Sequence, residues 1–426
     1  MSSSASAAPP PLHIIRAHSS AISALFISDD NERLYSGDTS GSVAITSTRS
    51  LRPLASWAAH ADGLLGVQEW GGRGVGGGGK QVITHGRDNK LHVWRLPSPS
   101  RTPSTVRGSV SAAPDMGPPE LGYSLDVNAL NFCRFSLLPL APPRGPADPR
   151  ALLAVPNLAD IWALPSKERI HAAVGRNAPD APMSLGSDGR GAKNATGIIM
   201  SMHLLSTPVG ATIMDERALS LITSYEDGSV KLWRYRNVEK ERSIEGVGWE
   251  CLWSFKLHVE SVMATAVSPD HSIVMSVSAD HLVGRYDLKV DPTANAGTAY
   301  RTKHPGNGAV AFHDDGRVCA IGGWDGRVRL FSTTSLKPLG TLIYHKAAVQ
   351  ALAFARASPL APPPDRHRHR HRRHDDLPPI DDEDEEEDEE DEMTAEEKLA
   401  RSRWLVSGGK DGRVVIWALR DFRPRV

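Results

Sequence analysis

The sequence predicts an all-β protein: a seven-bladed β-propeller, closed by pairing of an N-terminal strand with the C-terminal blade, with long disordered insertions. Three observations predict it. A turn-and-strand motif recurs: SGDTSGSVAIT (36–46), THGRDNKLHVW (84–94), TSYEDGSVKLW (223–233), SVSADHLVGRY (276–286), GGWDGRVRLF (322–331) and SGGKDGRVVIWAL (407–419). A His precedes an alternating apolar segment upstream of most copies. The chain also holds 10 Trp against 8 Phe in 426 residues, which asks for a repeated structural use of Trp.

Each part of the motif has a physical reason. The turn position holds Ser40, Asp88, Asp227, Asp280, Asp325 or Asp411, and Asp-Gly or Asp-Asn there is hairpin chemistry. Six residues on stands Trp94, Trp233, Tyr286, Phe331 or Trp417, with Thr46 in the first copy, and apolar and polar residues alternate in between. His18 to Ser40 is 22 residues, His258 to Asp280 is 22 and His304 to Asp325 is 21. A buried carboxylate is costly unless its acceptor sites are filled. A loop His, a hydroxyl four residues before the Asp (Thr84, Thr223, Ser276, Ser407) and an indole N–H can fill them. The expected staples of the blades are therefore His18, His60, Asp88, Trp94, Asp227, Trp233, His258, Asp280, His304, Asp325, His345, Asp411 and Trp417. A His–Asp–Ser set also has the composition of a hydrolase triad. A set repeated at a fixed period is not how a single active site is built.

The period places blades at about 18–56, 57–96, 121–170, 196–255, 256–300, 301–341 and 342–421, the last completed by 12–17. DVNALNFCRF (126–135) reads as the first strand of a degenerate third blade, with Tyr123 near the His position. LLAVPNLADIWALP (152–165) puts Trp162 in the aromatic position, with the turn near Pro156. The fourth blade, from TGIIMSMHLL (196–205), lacks a clear His. Seven repeats need roughly 315 residues, so about 110 remain for insertions. These are the Gly-rich 71–79, the Ser/Pro/Gly-rich 97–120, the Pro-rich 141–150, the polar 171–195 and 236–247, and 357–400. In the last, PPPDRHRHRHRRH (362–374) precedes an unbroken acidic run from Asp381 to Glu392. That composition cannot bury enough apolar surface to fold, so disorder is expected there and at 1–11. MTAEEKLARSRW (393–404) reads as a short helix leading back into blade seven.

The His…Asp…Trp arrangement resembles the WD40 repeat family, which implies four-stranded blades in a closed ring. Within that family the ordered series NALNFC (128–133), AVPN (154–157) and LPSKER (164–169), with GRDNKLHVWRLP (86–97), resembles the fungal ASTRA-associated WD-repeat proteins over about 12–421. The large insertion lies outside the shared pattern. The resemblance implies a nuclear, non-catalytic subunit of a multiprotein ASTRA assembly, linked to chromatin remodelling and to maturation of phosphatidylinositol-3-kinase-related kinases. It brings no catalytic residues.

The composition fits. Charged residues make up 23% and hydrophobic ones 40%, and the net charge of −1 excludes a general electrostatic magnet for nucleic acid or membrane. Cys133, Cys251 and Cys319 are too few and scattered for a disulfide framework, which suits a reducing compartment. No secretory signal or membrane-spanning run is visible, so Asn194-Ala195-Thr196 reads as a chance sequon. The expectation is an interaction scaffold in the nucleus, with the cytoplasm as second location. No cofactor, metal site, sequence-specific nucleic-acid binding or membrane contact is expected. The acidic run makes histones a further expected partner, with the run and the central channel capturing a histone tail. A histone-tail reader and a substrate adaptor of a ubiquitin ligase are the competing roles. Four alternating His (His367, His369, His371, His374) could chelate a metal, and the His-Arg run could touch nucleic acid or a phosphorylated partner.

Overall fold

The computed structural model describes residues 9–71, 80–97, 116–128, 133–140, 150–156, 159–175, 196–208, 217–237, 240, 242–289, 296–357 and 393–419. Short β-rich segments separated by Gly-, Asp- and Asn-bearing turns form antiparallel meanders. Strand β1 (His13–Ile15) opens the chain. Blade one is β2 (Ile22–Ile27), β3 (Arg33–Asp38), β4 (Ser42–Ser47) and β5 (Pro53–Ala58). Blade two is β6 (Leu64–Trp70), β7 (Gln81–Gly86), β8 (Lys90–Arg95) and β9 (Glu120–Asp126). Blade three is β10 (Ser136–Pro139), β11 (Ala151–Val155), β12 (Asp160–Leu164) and β13 (Glu168–His171). Blade four is β14 (Ile199–Pro208), β15 (Arg217–Tyr225), β16 (Ser229–Tyr235) and β17 (Trp249–Lys256). Blade five is β18 (Val262–Val267), β19 (Ile273–Ser278), β20 (Leu282–Asp287) and β21 (Gly297–Arg301). Blade six is β22 (Asn307–Phe312), β23 (Val318–Gly323), β24 (Arg327–Ser332) and β25 (Pro338–Ile343). Blade seven takes three strands from the C-terminal region, β26 (Val349–Phe354), β27 (Trp404–Gly409) and β28 (Val414–Ala418), and β1 as its fourth.

The ring closes as the sequence predicts. His13 pairs with Ile416, Ile14 with Val415 and Ile15 with Val414, and Leu12 N–H donates to Ile416 O at 2.8 Å. Apolar packing closes it a second way. Among the described residues each of seven buried clusters joins two consecutive blades; one of them sets Ile22, Leu25 and Leu34 of blade one against Ile15, Val406, Val414 and Ile416 of blade seven across the seam between them. Burial of one sheet face on the next is what a single blade cannot achieve alone.

Blades two and three correct the sequence reading. Residues 121–126, expected in blade three, and Glu120, expected at the end of the 97–120 insertion, are the outer strand of blade two, in register with β8 from Lys90↔Asp126 to Arg95↔Glu120. The insertion after β8 delays that strand, so periodicity alone passes it to the next blade. The first strand of blade three is accordingly Ser136–Pro139, not 126–135, and Tyr123 faces Val93.

The expected disorder at 1–11 and 357–400 falls mostly outside the described residues. Within the latter, 393–400 is ordered, a correction to that boundary. Helix α1 (Ala395–Ala400) is held by a capping box between Thr394 and Glu397, followed by a 3₁₀ turn at Arg401–Arg403.

Antiparallel alternation sorts the connections between two faces. Loops entering each first strand and the turns between second and third strands share one face, called here the staple face.

Candidate functional site

The repeated polar groups gather on the staple face. In blade two His60 Nδ1 lies 3.0 Å from Asp88 Oδ1 and Nε2 lies 2.8 Å from Thr84 Oγ1, which Trp94 Nε1 also reaches at 2.8 Å. Blade seven repeats this. His345 Nδ1 is 3.1 Å from Asp411, and its Nε2 and Trp417 Nε1 are each 2.9 Å from Ser407 Oγ. In blade five His258 joins Asp280 at 3.2 Å and Ser276 at 2.7 Å, with the Tyr286 hydroxyl 3.1 Å from Ser276 Oγ in place of an indole. The donors run one way: Nδ1–H to carboxylate, hydroxyl to Nε2, indole N–H to hydroxyl oxygen. Burial pushes the imidazoles of His60 and His258 down, against the pull of Asp88 and Asp280. Burial alone would raise the Asp88 carboxyl. Hydrogen bonds from Ala61 N–H, His60 and Lys90 N–H outweigh it and hold the group below the ordinary carboxylate range.

Blade one reaches the same end differently. His18 meets Ser36 Oγ at 2.8 Å and, at 2.8 Å, the carboxylate of Asp38, two residues before the expected turn position. Ser40 occupies that turn and donates its N–H and hydroxyl to Asp38 Oδ1. Blade seven has Gly409 where blade one has Asp38, and a Cβ there would lie 2.4 Å from the His345 ring. The close approach that excludes a side chain in blade seven lets Asp38 supply the missing carboxylate in blade one.

Two expected staples form other contacts. Asp325 is held by the Arg329 guanidinium, with Nη1 at 3.1 Å, whereas His304 is exposed. In blades one, two, five and seven the His precedes the first strand by four residues; in blade six Lys303 has that place and His304 is one residue late. Asp227 accepts from Ser229 N–H at 2.9 Å and from its hydroxyl at 2.6 Å, while Trp233 Nε1 donates to Thr223 Oγ1 at 2.9 Å. Tyr225, whose hydroxyl is 3.1 Å from Thr223 Oγ1, takes the partner role a His fills elsewhere. Asp38, Tyr225 and Arg329 gave no signal because none of them occupies the His, hydroxyl, turn or aromatic position of the repeat.

These sets are closed to substrate. Ser36, Thr84, Ser276 and Ser407 are 0–1% exposed, so no acyl group could reach the hydroxyl. Among the described residues one group, His60, Asp88 and His92, brings metal-type ligand atoms within 4.8 Å of one another. Both His60 nitrogens are already bonded, and its ring stacks on His92 at 4.5 Å. The group extends the staple. No described helix is long and apolar enough to cross a membrane.

On the other face the roots of the long insertion grip blade one. Asn31, at φ 61°, donates from Nδ2 to Arg356 O at 2.9 Å and Lys398 O at 3.2 Å and accepts from Arg356 N–H at 2.8 Å. Lys398 is buried and ion-paired to Glu32 at 2.6 Å, and the Arg356 side chain bonds Asp29 and Asp314. The charged segment thus leaves and re-enters the fold at one place, beside the ring seam.

A closed ring of seven four-stranded blades, tied through turn carboxylates, is a WD-repeat propeller. The family described as WD domain, G-beta repeat matches residues 9–46, 249–287, 302–332 and 400–418. An ASTRA-associated protein 1 from Verticillium alfalfae is 31% identical, the match covering 96% of this chain and 92% of that protein. Another, from Penicillium rubens, is 30% identical over 96% of each. The chain therefore belongs to the ASTRA-associated protein 1 family. A more distant relative of that name, from Schizosaccharomyces pombe, is 26% identical over 81% of this chain and 93% of its own length. The crystal structure of a computationally designed protein, Ika8, matches with TM-score 0.52 at 13% identity, covering 96% of this chain and 100% of that one, a likeness of fold alone.

Proposed function

We propose that the chain is a non-catalytic interaction scaffold, a subunit of a nuclear ASTRA-type complex that acts in chromatin remodelling and in the stability and assembly of phosphatidylinositol-3-kinase-related kinases. The end-to-end match to proteins named for association with ASTRA carries this reading. The ring supports it: a rigid frame offers two faces and a rim of loops, where binding residues gather. The burial of every hydrolase-like hydroxyl in blades one, two, five and seven supports a non-catalytic role. Purification of the tagged chain from nuclear extract, with companions identified by mass spectrometry, tests it. A defined set of large kinase-related and remodelling subunits is expected; a chain that elutes alone from nuclear and cytosolic extracts overturns it. Histones are a further proposed partner of the acidic run 381–392. Deletion of that run is expected to weaken histone pull-down at low salt, and an unchanged pull-down removes histones from the list.

A further inference from the structure

One aromatic side chain is placed against the pattern of the rest. Trp324 sits in the second-to-third turn of blade six, immediately before Asp325, and is 47% exposed. Equivalent positions hold Thr39, Arg87, Glu226, Ala279 and Lys410. The indole lies flat on bare backbone. A Cβ built on Gly306 (φ +79°) would be 2.7 Å from Trp324 Cε3, and one on Gly308 would be 3.1 Å from its Nε1. Trp324 N–H also donates to Gly306 O at 2.8 Å. The side chain is seated on this glycine backbone on one side and keeps 47% of its surface exposed.

The surrounding charge is one-sided. The 302–306 loop beneath the indole carries exposed Lys303 and His304. On the other side the same turn packs on the 344–348 loop, where Gly326 approaches His345 O so closely that a Cβ would lie 2.4 Å away; that loop carries exposed Lys346. Exposed Lys410 follows, its N–H on Ala348 O at 2.8 Å. The carboxylates of the neighbouring turns are already engaged: Asp280 by His258, Asp325 by Arg329 and Asp411 by His345. Among the described residues Lys303, Lys346 and Lys410 have no ion-pair partner.

We propose that this sector of the staple face is a docking site for an acidic segment of a partner protein, with one aromatic or large apolar residue laid on Trp324 and flanking carboxylates on Lys303, Lys346 and Lys410. A desolvated aromatic anchor supplies affinity and the lysines supply orientation and selectivity. Basic tails are repelled here. Single-stranded nucleic acid fits less well, because its binding grooves use successive stacking rings and this sector offers one. The chain re-enters the described fold after its own acidic run at Met393, on the opposite face, and the amide-neutralised variant below tests that run as the occupant. The proposal rests on the scaffold reading only in taking the ligand to be protein, and it is tested on the purified full chain, so either can fail without the other.

The probe is a labelled peptide with one Phe among Glu and Asp residues, titrated by fluorescence anisotropy. Saturable binding that weakens with salt is expected, reduced about tenfold by Trp324→Ala. The exposed pair Lys346→Glu/Lys410→Glu is expected to do the same with unchanged melting, which decides the matter if Trp324→Ala disturbs the fold. No saturable binding, equal binding of a Lys-for-acid peptide, or binding indifferent to all these changes overturns the proposal. So does tighter binding of oligouridine RNA lost in the same variants. Peptide binding that emerges only after the 381–392 carboxylates are neutralised to amides would put that run on Trp324 in cis and overturn the assignment to a partner.

Discussion

Blades six and seven carry nearly the same turn, GGWDGRVRLF and GGKDGRVVIW, and hold it by different means. In blade seven Ser407 links His345 to Trp417, and His345 in turn holds Asp411. In blade six the hydroxyl position is Ile321 and the aromatic is Phe331, which has no N–H. A His there would bond the Asp through one nitrogen and bury the other unpaired, at a cost of about 1–3 kcal/mol. Arg329 meets the same carboxylate from the third strand, where blade seven has Val415, and needs no second partner. Between these two blades the turn Asp is the shared element, and the His is recruited only in the one where a hydroxyl waits for its second nitrogen.

The strongest way to break this comparison acts on what blade seven alone has, a strand borrowed from the other end of the chain. Deletion of 1–17 removes β1 and the buried Ile15 and exposes the edge of β28. Several kcal/mol should be lost, and a truncated protein that melts like the intact one would refute closure as a source of stability. Trp417→Ala, at a side chain 1% exposed, should cost about 3–5 kcal/mol, against about 2 for Phe331→Ala in its half-buried setting. Denaturant titration ranks the two, and equal losses would mean that the buried, hydrogen-bonded indole anchors its blade no better than the half-buried phenyl ring.

Acid should also loosen the ring. Burial lowers His85 and His171 to about 4, and the His85 nitrogens have no hydrogen-bond partner among the described residues. Both rings refuse protons that the unfolded chain accepts below about pH 6.5. Their contribution is complete above that value and disappears as pH falls toward 4, by at most about 3 kcal/mol for a ring as buried as His85. Melting curves from pH 7.5 to 4 should drop over that interval; a flat profile would mean that these rings are not held neutral. The smallest contrast is the most specific. His345→Ala should cost about 2 kcal/mol and His304→Ala less than about 0.5. Similar costs would remove the distinction between the two blades.

The fold was legible because strand period, turn chemistry and ring closure recur, and repetition averages out local irregularity. Where an insertion intervened, as before Glu120–Asp126, the strand was credited to the wrong blade. At the polar sets, spacing brought His60, His258 and His345 to their carboxylates, because hydroxyl, Asp and aromatic keep fixed offsets on one hairpin. It misplaced Asp38 and His304, where a carboxylate moved two residues and a ring one. A one-residue offset rotates a loop side chain away from its partner, and a count of 21 instead of 22 was the only trace of it. Trp324 gave no signal, since nothing in a turn sequence says that two distant glycines will form its seat.

The pairing of β1 with β28 also sets an order in time. Ile15 and Val414 are 399 residues apart. At about 5–20 residues per second, a ribosome needs roughly 20–80 s between making one and the other. Through that interval the blades accumulate without closure, and by its end six stand with open edges, a species that invites holding by chaperones and attack by proteases. How much of the protein a cell accumulates should therefore follow its capacity to guard that nascent intermediate more closely than the stability of the finished ring.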